Sequence, residues 1–135
     1  FKSILRTNTC IIMSIKHPLA KKDNLTLSDC RAEKFYIISR DDSPKAFDSV
    51  VSLCLKNGFT PNIIRNCPNV ESLLLNVDTG QGIALMDNSI RLYNNDNFKI
   101  IDINDDPMDV VMAWRRDNTN PAVQLFSELI KAEKV

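Results

Sequence analysis

The stretch Asn69–Met86, NVESLLLNVDTGQGIALM, changes its apolar period from that of a helix to that of a strand across one short turn. Val70, Leu73, Leu74 and Val77 recur at helical spacing. Asn69 in front of them is a good N-cap, its side-chain oxygen able to accept a first-turn N–H. Gly80 stands where a helix end wants a left-handed residue. Beyond Gly80-Gln81-Gly82, the run Ile83–Met86 reads as a strand ending at Asp87-Asn88-Ser89. Two of the three glycines of the chain lie in this turn.

Moving outward, the same alternation repeats upstream. Ser43-Pro44 opens a helix, because proline at the first helical position loses nothing by lacking an N–H. Phe47, Val50, Val51, Cys54 and Leu55 form its buried stripe, and Asn57-Gly58 stops it. Strands are expected at Phe35–Ile38 before this helix and at Asn62–Arg65 after it. Strand, helix, strand, helix, strand with short connections predicts a parallel α/β sheet, since parallel strands need crossovers. All three strands then end on one edge, where both helices begin. Ligands of open α/β sheets bind outside the carboxyl ends of the strands, and helix N-termini offer free N–H groups and a positive partial charge. The residues alone therefore place a site at 39–46, 66–71 and 87–89.

The flanks are simpler. Cys10–Ile15 reads as a strand, while FKSILRTNT before it offers no obvious pairing element. His17-Pro18 ends that strand, and the lone His17 is read as structural. Lys21–Asn24 is a solvated charge run, and Thr26 caps a short helix at Leu27–Ala32. Downstream, 89–97 is expected to be mostly loop, Lys99–Ile103 a strand, Asn104–Pro107 a turn and Val110–Trp114 a buried strand. Asn120-Pro121 starts a last helix with Ala122, Leu125, Phe126, Leu129 and Ile130 on one face. Trp114 beside Arg115 and Arg116 is read as core or interface.

Composition narrows the function. A chain of 135 residues can bury a single core. Seventeen basic and seventeen acidic residues balance, and no basic stripe interleaved with aromatics is built to neutralise phosphates. No apolar run reaches the ~20 residues of a membrane span, and the first residues lack a signal-like cleavage pattern, so the chain reads as cytoplasmic. Cys10, Cys30, Cys54 and Cys67 are scattered and accompanied by one histidine, which fits reduced structural thiols better than a metal site. No nucleophile elbow, phosphate loop, dinucleotide fingerprint or zinc-protease motif is present. The pairs Asp41-Asp42 and Asp105-Asp106 sit in turns and read as solvated. A binding module without cofactor or metal is favoured over an enzyme.

Five motifs in order extend this. His17-Pro18-Leu19-Ala20, Leu25-Thr26-Leu27-Ser28-Asp29, Gly58-Phe59-Thr60-Pro61, Val77-Asp78-Thr79-Gly80-Gln81-Gly82-Ile83-Ala84-Leu85 and Val123-Gln124-Leu125-Phe126 together resemble the C-terminal effector-binding domain of LysR-type transcriptional regulators. The resemblance implies a fold like the type 2 periplasmic binding proteins, two α/β lobes joined by two crossover strands. Residues 14–109 would be the second lobe, 1–13 and 110–135 a partial first lobe, and Cys10–Ile15 and Val110–Trp114 the crossovers. It implies a small-molecule effector, such as a carboxylate or an amino acid, and a homo-oligomer. No direct nucleic-acid contact is expected, because the winged helix-turn-helix of such regulators is not in this sequence. Effector contacts in the family fall on Ser39, Arg40, Ser43, Pro44 and Ala46, to which the residue-based reading adds Asn69. Arg40 and the helix N-terminus favour an anion, and Asp41 and Asp42 oppose one. Asp87 departs from the family, which commonly has proline there. The alternative function is a solute-binding or small enzyme domain of the same two-lobe fold.

Overall fold

The computed structural model describes residues 1–93, 96–103, 108–130 and 133–134. In chain order the elements are β1 (Lys2–Thr7), β2 (Thr9–Ser14), β3 (Lys34–Ile38), α1 (Pro44–Lys56), β4 (Asn62–Cys67), α2 (Val70–Asp78), β5 (Ala84–Asp87), β6 (Phe98–Asp102), β7 (Met108–Met112), α3 (Pro121–Leu129) and β8 (Glu133–Lys134). Short 3-10 turns occupy Pro18–Lys21, Leu27–Cys30 and Asn88–Tyr93.

The expected alternation is present, and its strands are parallel where crossovers require it. β3 pairs with β4 in parallel, and Phe35 bridges Ile83 in parallel at the head of β5. That bridge consists of the Tyr36 N–H donating to the Ile83 carbonyl and the Ile83 N–H donating to the Lys34 carbonyl, each 2.9 Å. β2 runs antiparallel between β5 and β6. The strands thus line up as β4-β3-β5-β2-β6, a mixed sheet rather than an all-parallel one.

Side chains alternate across this sheet as strand geometry dictates. Ile11, Met13, Phe35, Ile83 and Leu85 join Cys54, Val50 and Leu53 of α1 in one apolar cluster. Cys10, Ile12, Tyr36 and Ala84 join Leu73 and Val77 of α2 in a second cluster. Helices therefore cover both faces, and the sheet is the middle layer of three. All four cysteines are buried thiols in these clusters, outside any disulfide. Burial, with Glu33 and Asp29 nearby, pushes the Cys30 thiol up to about 12, and burial pushes that of Cys54 up to about 11.

The stretch that opened the reading folds as its pattern requires. The Asn69 side chain accepts the Ser72 N–H at 2.9 Å, and Gly80 takes φ +77° just past the helix. Gly82 serves a different purpose. A Cβ there would lie 2.8 Å from Tyr36 Cε2 and 2.9 Å from the Lys34 carbonyl oxygen. Glycine at 82 lets the chain come close enough to β3 to make the bridge.

A second, smaller sheet has the order β7-β1-β8. Here the structure departs from expectation at several points. FKSILRTNT contains β1, whose partners β7 and β8 lie a hundred or more residues downstream. Cys10–Ile15 is the central strand of the large sheet, and the passage from one sheet to the other falls at Asn8, between β1 and β2. Val110 to Trp114 is not buried: β7 ends at Met112, and Val110, Val111 and Trp114 are exposed along with Leu125, Phe126 and Leu129 of α3. Leu27–Ala32 tightens to a 3-10 turn, and Asn88–Tyr93 is a 3-10 turn rather than loop. The turn expected at Asn104–Pro107, with Asp105-Asp106, lies outside the described residues.

His17 is structural. It is buried, its Nδ1 accepts the Leu19 N–H at 3.1 Å, and its Nε2 lies 3.2 Å from Glu33 Oε2.

Candidate functional site

Antiparallel pairing of β2 with β5 sets Thr9 opposite Asp87, so the start of β2 and the end of β5 meet at one edge of the sheet. The first turns of α1 arrive at the same edge. Between them lies a cleft of about 330 Å³ lined by Thr9, Ser43, Lys45, Ala46, Ser49, Val50, Leu53, Leu85, Met86 and Asp87. Its size falls at the lower end of small-molecule sites, and its floor of Val50, Leu53, Leu85 and Met86 is aliphatic.

The polar groups of the cleft come from two places. The α1 end supplies backbone donors. Pro44 has no N–H, and the first intrahelical bond runs from the Phe47 N–H to the Ser43 carbonyl at 3.0 Å. The N–H groups of Lys45 and Ala46 thus have no acceptor within the helix. Ser43 makes no side-chain capping bond to them, and the Lys45 side chain adds a full positive charge at the same helix end. The β5 end supplies the half-buried Asp87. The Ser89 N–H donates to Asp87 Oδ1 at 2.9 Å, and the Ser89 hydroxyl binds the same oxygen.

Of the residues expected from the sequence, Ser43 and Ala46 line this cleft, and so does Asp87 from the residue-based version of the site. Ser39, Arg40, Pro44 and Asn69 are engaged elsewhere. The Ser39 hydroxyl donates to Asp42, and the Ser39 N–H reaches the Cys67 carbonyl at 2.8 Å. Both tie the loop between β3 and α1 to itself and to β4. Arg40 makes a two-pronged ion pair with Asp48 on the next turn of α1, at 3.1 and 3.2 Å, pointing along the helix surface. Pro44 fixes the helix start, and Asn69 is spent on capping α2. Lys45, inside the residue-based range 39–46, lines it too. Ser49, Leu53 and Thr9 were not singled out. Ser49 and Leu53 carried a signal, lying on the helix already assigned to the site; Thr9 carried none, because only the β2–β5 register brings it there.

A second hollow, lined by Arg115, Asp117, Asn118, Thr119 and Asn120, is shallow and self-paired: Arg115 binds Asp117 at 3.0 and 2.8 Å.

Comparison with known proteins fits this geometry. The family model described as the LysR substrate binding domain matches residues 1–134. The chain belongs to that family. Its LysR relatives include the HTH-type transcriptional regulator AlsR of Bacillus subtilis (strain 168), 25% identical over 132 residues, which covers 96% of this chain and 44% of AlsR. The chain thus spans less than half the length of that relative. Among solved structures, the CcmR regulatory domain of Synechocystis PCC6803, in complex with 2-PG, is 16% identical with a TM-score of 0.78, covering 99% of this chain and 68% of that one. The effector-binding domain of QuiR, in complex with shikimate, is 20% identical with a TM-score of 0.70, covering 95% of this chain and 61% of that one. These likenesses establish the LysR effector-domain fold, which is periplasmic-binding-protein-like. No helix among the described residues is long and apolar enough to cross a membrane.

Proposed function

We propose that the cleft between the first turns of α1 and the ends of β2 and β5 is where this LysR effector-binding domain takes its small-molecule effector, and that the effector presents an anionic group such as a carboxylate to α1. The observation that carries this is that Lys45 and Ala46, whose N–H groups have no acceptor within α1, line a pocket with an aliphatic floor. Shikimate in the QuiR complex is a carboxylate of suitable size. Among the residues expected from the sequence, Ser43 and Ala46 stand at the pocket; Ser39, Arg40, Pro44 and Asn69 act by holding the surrounding loop and helices.

In this proposal the large sheet with its helices, from Thr9 to Asp102, forms the second lobe rather than 14–109, and β1 with β7, β8 and α3 belongs to the first. Effector binding selects one lobe orientation and passes the change to a DNA-binding domain elsewhere in a cytoplasmic, homo-oligomeric regulator. The exposed apolar residues of β7 and α3 suit such packing. A thermal-shift screen of small carboxylates and amino acids tests the site. Hits are expected to be lost in Ala46→Trp, which fills the pocket, and weakened in Ser43→Ala. Hits that survive Ala46→Trp unchanged place the effector elsewhere.

A further inference from the structure

Two opposite charges line the cleft, and neither is in a salt bridge with a described residue. Among the described residues, the salt bridges join Arg6 to Asp109, His17 to Glu33, Lys22 to Asp29, Arg40 to Asp48, Arg91 to Asp102 and Arg115 to Asp117. Lys45 and Asp87 are in none of them, although both line the same pocket of about 330 Å³. They come from different elements, Lys45 from the first turn of α1 and Asp87 from the end of β5, with Val50, Leu53, Leu85 and Met86 also lining the pocket.

Asp87 is also held in place. Both donors from Ser89 go to Oδ1, which fixes the carboxylate plane and leaves Oδ2 with no hydrogen bond from a described residue. A carboxylate accepts through both oxygens. An anion held by Lys45 and the α1 amides alone would put its own charge in a pocket that also contains the Asp87 charge. That cost disappears if the ligand carries a cationic donor for Oδ2 on its other end.

We propose that the effector is a zwitterion of amino-acid type, its carboxylate on the Lys45 side, its ammonium on Asp87 Oδ2 and an aliphatic body over the floor between them. Asp87 is then the residue that selects an amino acid over the corresponding simple acid. This rests on the cleft being the effector site, and it goes further by naming the ligand class and the residue that discriminates it.

The test is calorimetric titration of the full-length protein with matched sets: branched aliphatic amino acids, the acids lacking the amino group and the amines lacking the carboxylate. The natural protein is expected to bind at least one amino acid tenfold or more tightly than its deaminated acid. Asp87→Asn keeps an oxygen for Ser89, so the turn persists, and it is expected to collapse that preference to about one. Lys45→Met is expected to weaken amino acids and acids alike. Deaminated acids that bind as well as the amino acids, with Ala46→Trp abolishing both, overturn the zwitterion proposal and leave the anion cleft standing. Binding by none of the probes, or binding indifferent to Ala46→Trp, overturns both. An amino-acid preference that persists in Asp87→Asn overturns the role of Asp87.

Discussion

Replacing Gly82 with alanine tests how the helix-turn-strand stretch makes the fold. Gly82 has no positive φ, so its need for glycine is one of space. The added methyl would meet the Lys34 carbonyl oxygen at 2.9 Å and the Tyr36 ring at 2.8 Å, roughly half an ångström inside ordinary contact with backbone that cannot rotate away. Overpacking of this kind costs about 1–3 kcal/mol. The bond that must open, Ile83 N–H to the Lys34 carbonyl, adds about 1 kcal/mol, and the lower chain entropy of alanine returns about 0.4–1 kcal/mol. The expected loss is about 2 kcal/mol, which at an m-value of about 2 kcal/mol/M lowers the urea midpoint by about 1 M. Gly58→Ala is the control: φ is +84° with nothing within 4 Å, so only the left-handed strain of about 1–2 kcal/mol applies, partly offset by entropy. A midpoint for Gly82→Ala within about 0.2 M of the natural protein, or a smaller loss than for Gly58→Ala, would refute close approach as the reason for glycine at 82.

Asn69→Ala removes the cap of α2 and is expected to cost about 1 kcal/mol in urea unfolding, with the affinity for any effector unchanged. Arg40→Ala breaks an exposed ion pair with Asp48 and is expected to change stability by under about 1 kcal/mol, again with unchanged affinity. Asp29 is held below its ordinary 3.8 by the Thr26 backbone N–H, then by Lys22 and the Thr26 hydroxyl. Its contribution is therefore present above pH about 4 and lost as the pH falls through the lowered value, so the stability deficit of Asp29→Asn at neutral pH should shrink steadily as the pH is taken below 3.8. The Cys30 thiol, pushed up to about 12, should resist alkylation at pH 8 in the folded protein and react fully in denaturant, as mass spectrometry would register.

What the sequence disclosed was local. Helices α1 and α2 announce themselves by caps and apolar spacing, and the turn between α2 and β5 by Gly80, so the order of elements from β3 to β5, and with it the edge of the proposed site, could be read directly. Register and distant pairing could not. β1 was not read as a strand, because Lys2 to Thr7 pairs with Met108 to Met112 and nothing local encodes that meeting. Thr9 enters the cleft only because β2 lies antiparallel to β5. Arg40 looked like an anion ligand from its position in the loop, yet Asp48, eight residues on, is one helical turn inside α1 and takes the guanidinium first. Val110 to Trp114 and the apolar stripe of α3 were correctly seen as apolar. Hydropathy does not say whether a partner surface is within the same stretch of chain, and here those residues are exposed.

The central claim is that effector binds at the first turn of α1 beside the end of β5. Amide chemical shifts of the full-length protein, followed by NMR during titration with a hit from the thermal-shift screen, test it most directly. The Lys45 and Ala46 N–H signals should move downfield as acceptor oxygens reach them, with Met86 and Asp87 shifting in step. Saturable shifts confined to other residues, such as Arg115 to Asn120, with Lys45 and Ala46 unmoved, would contradict it.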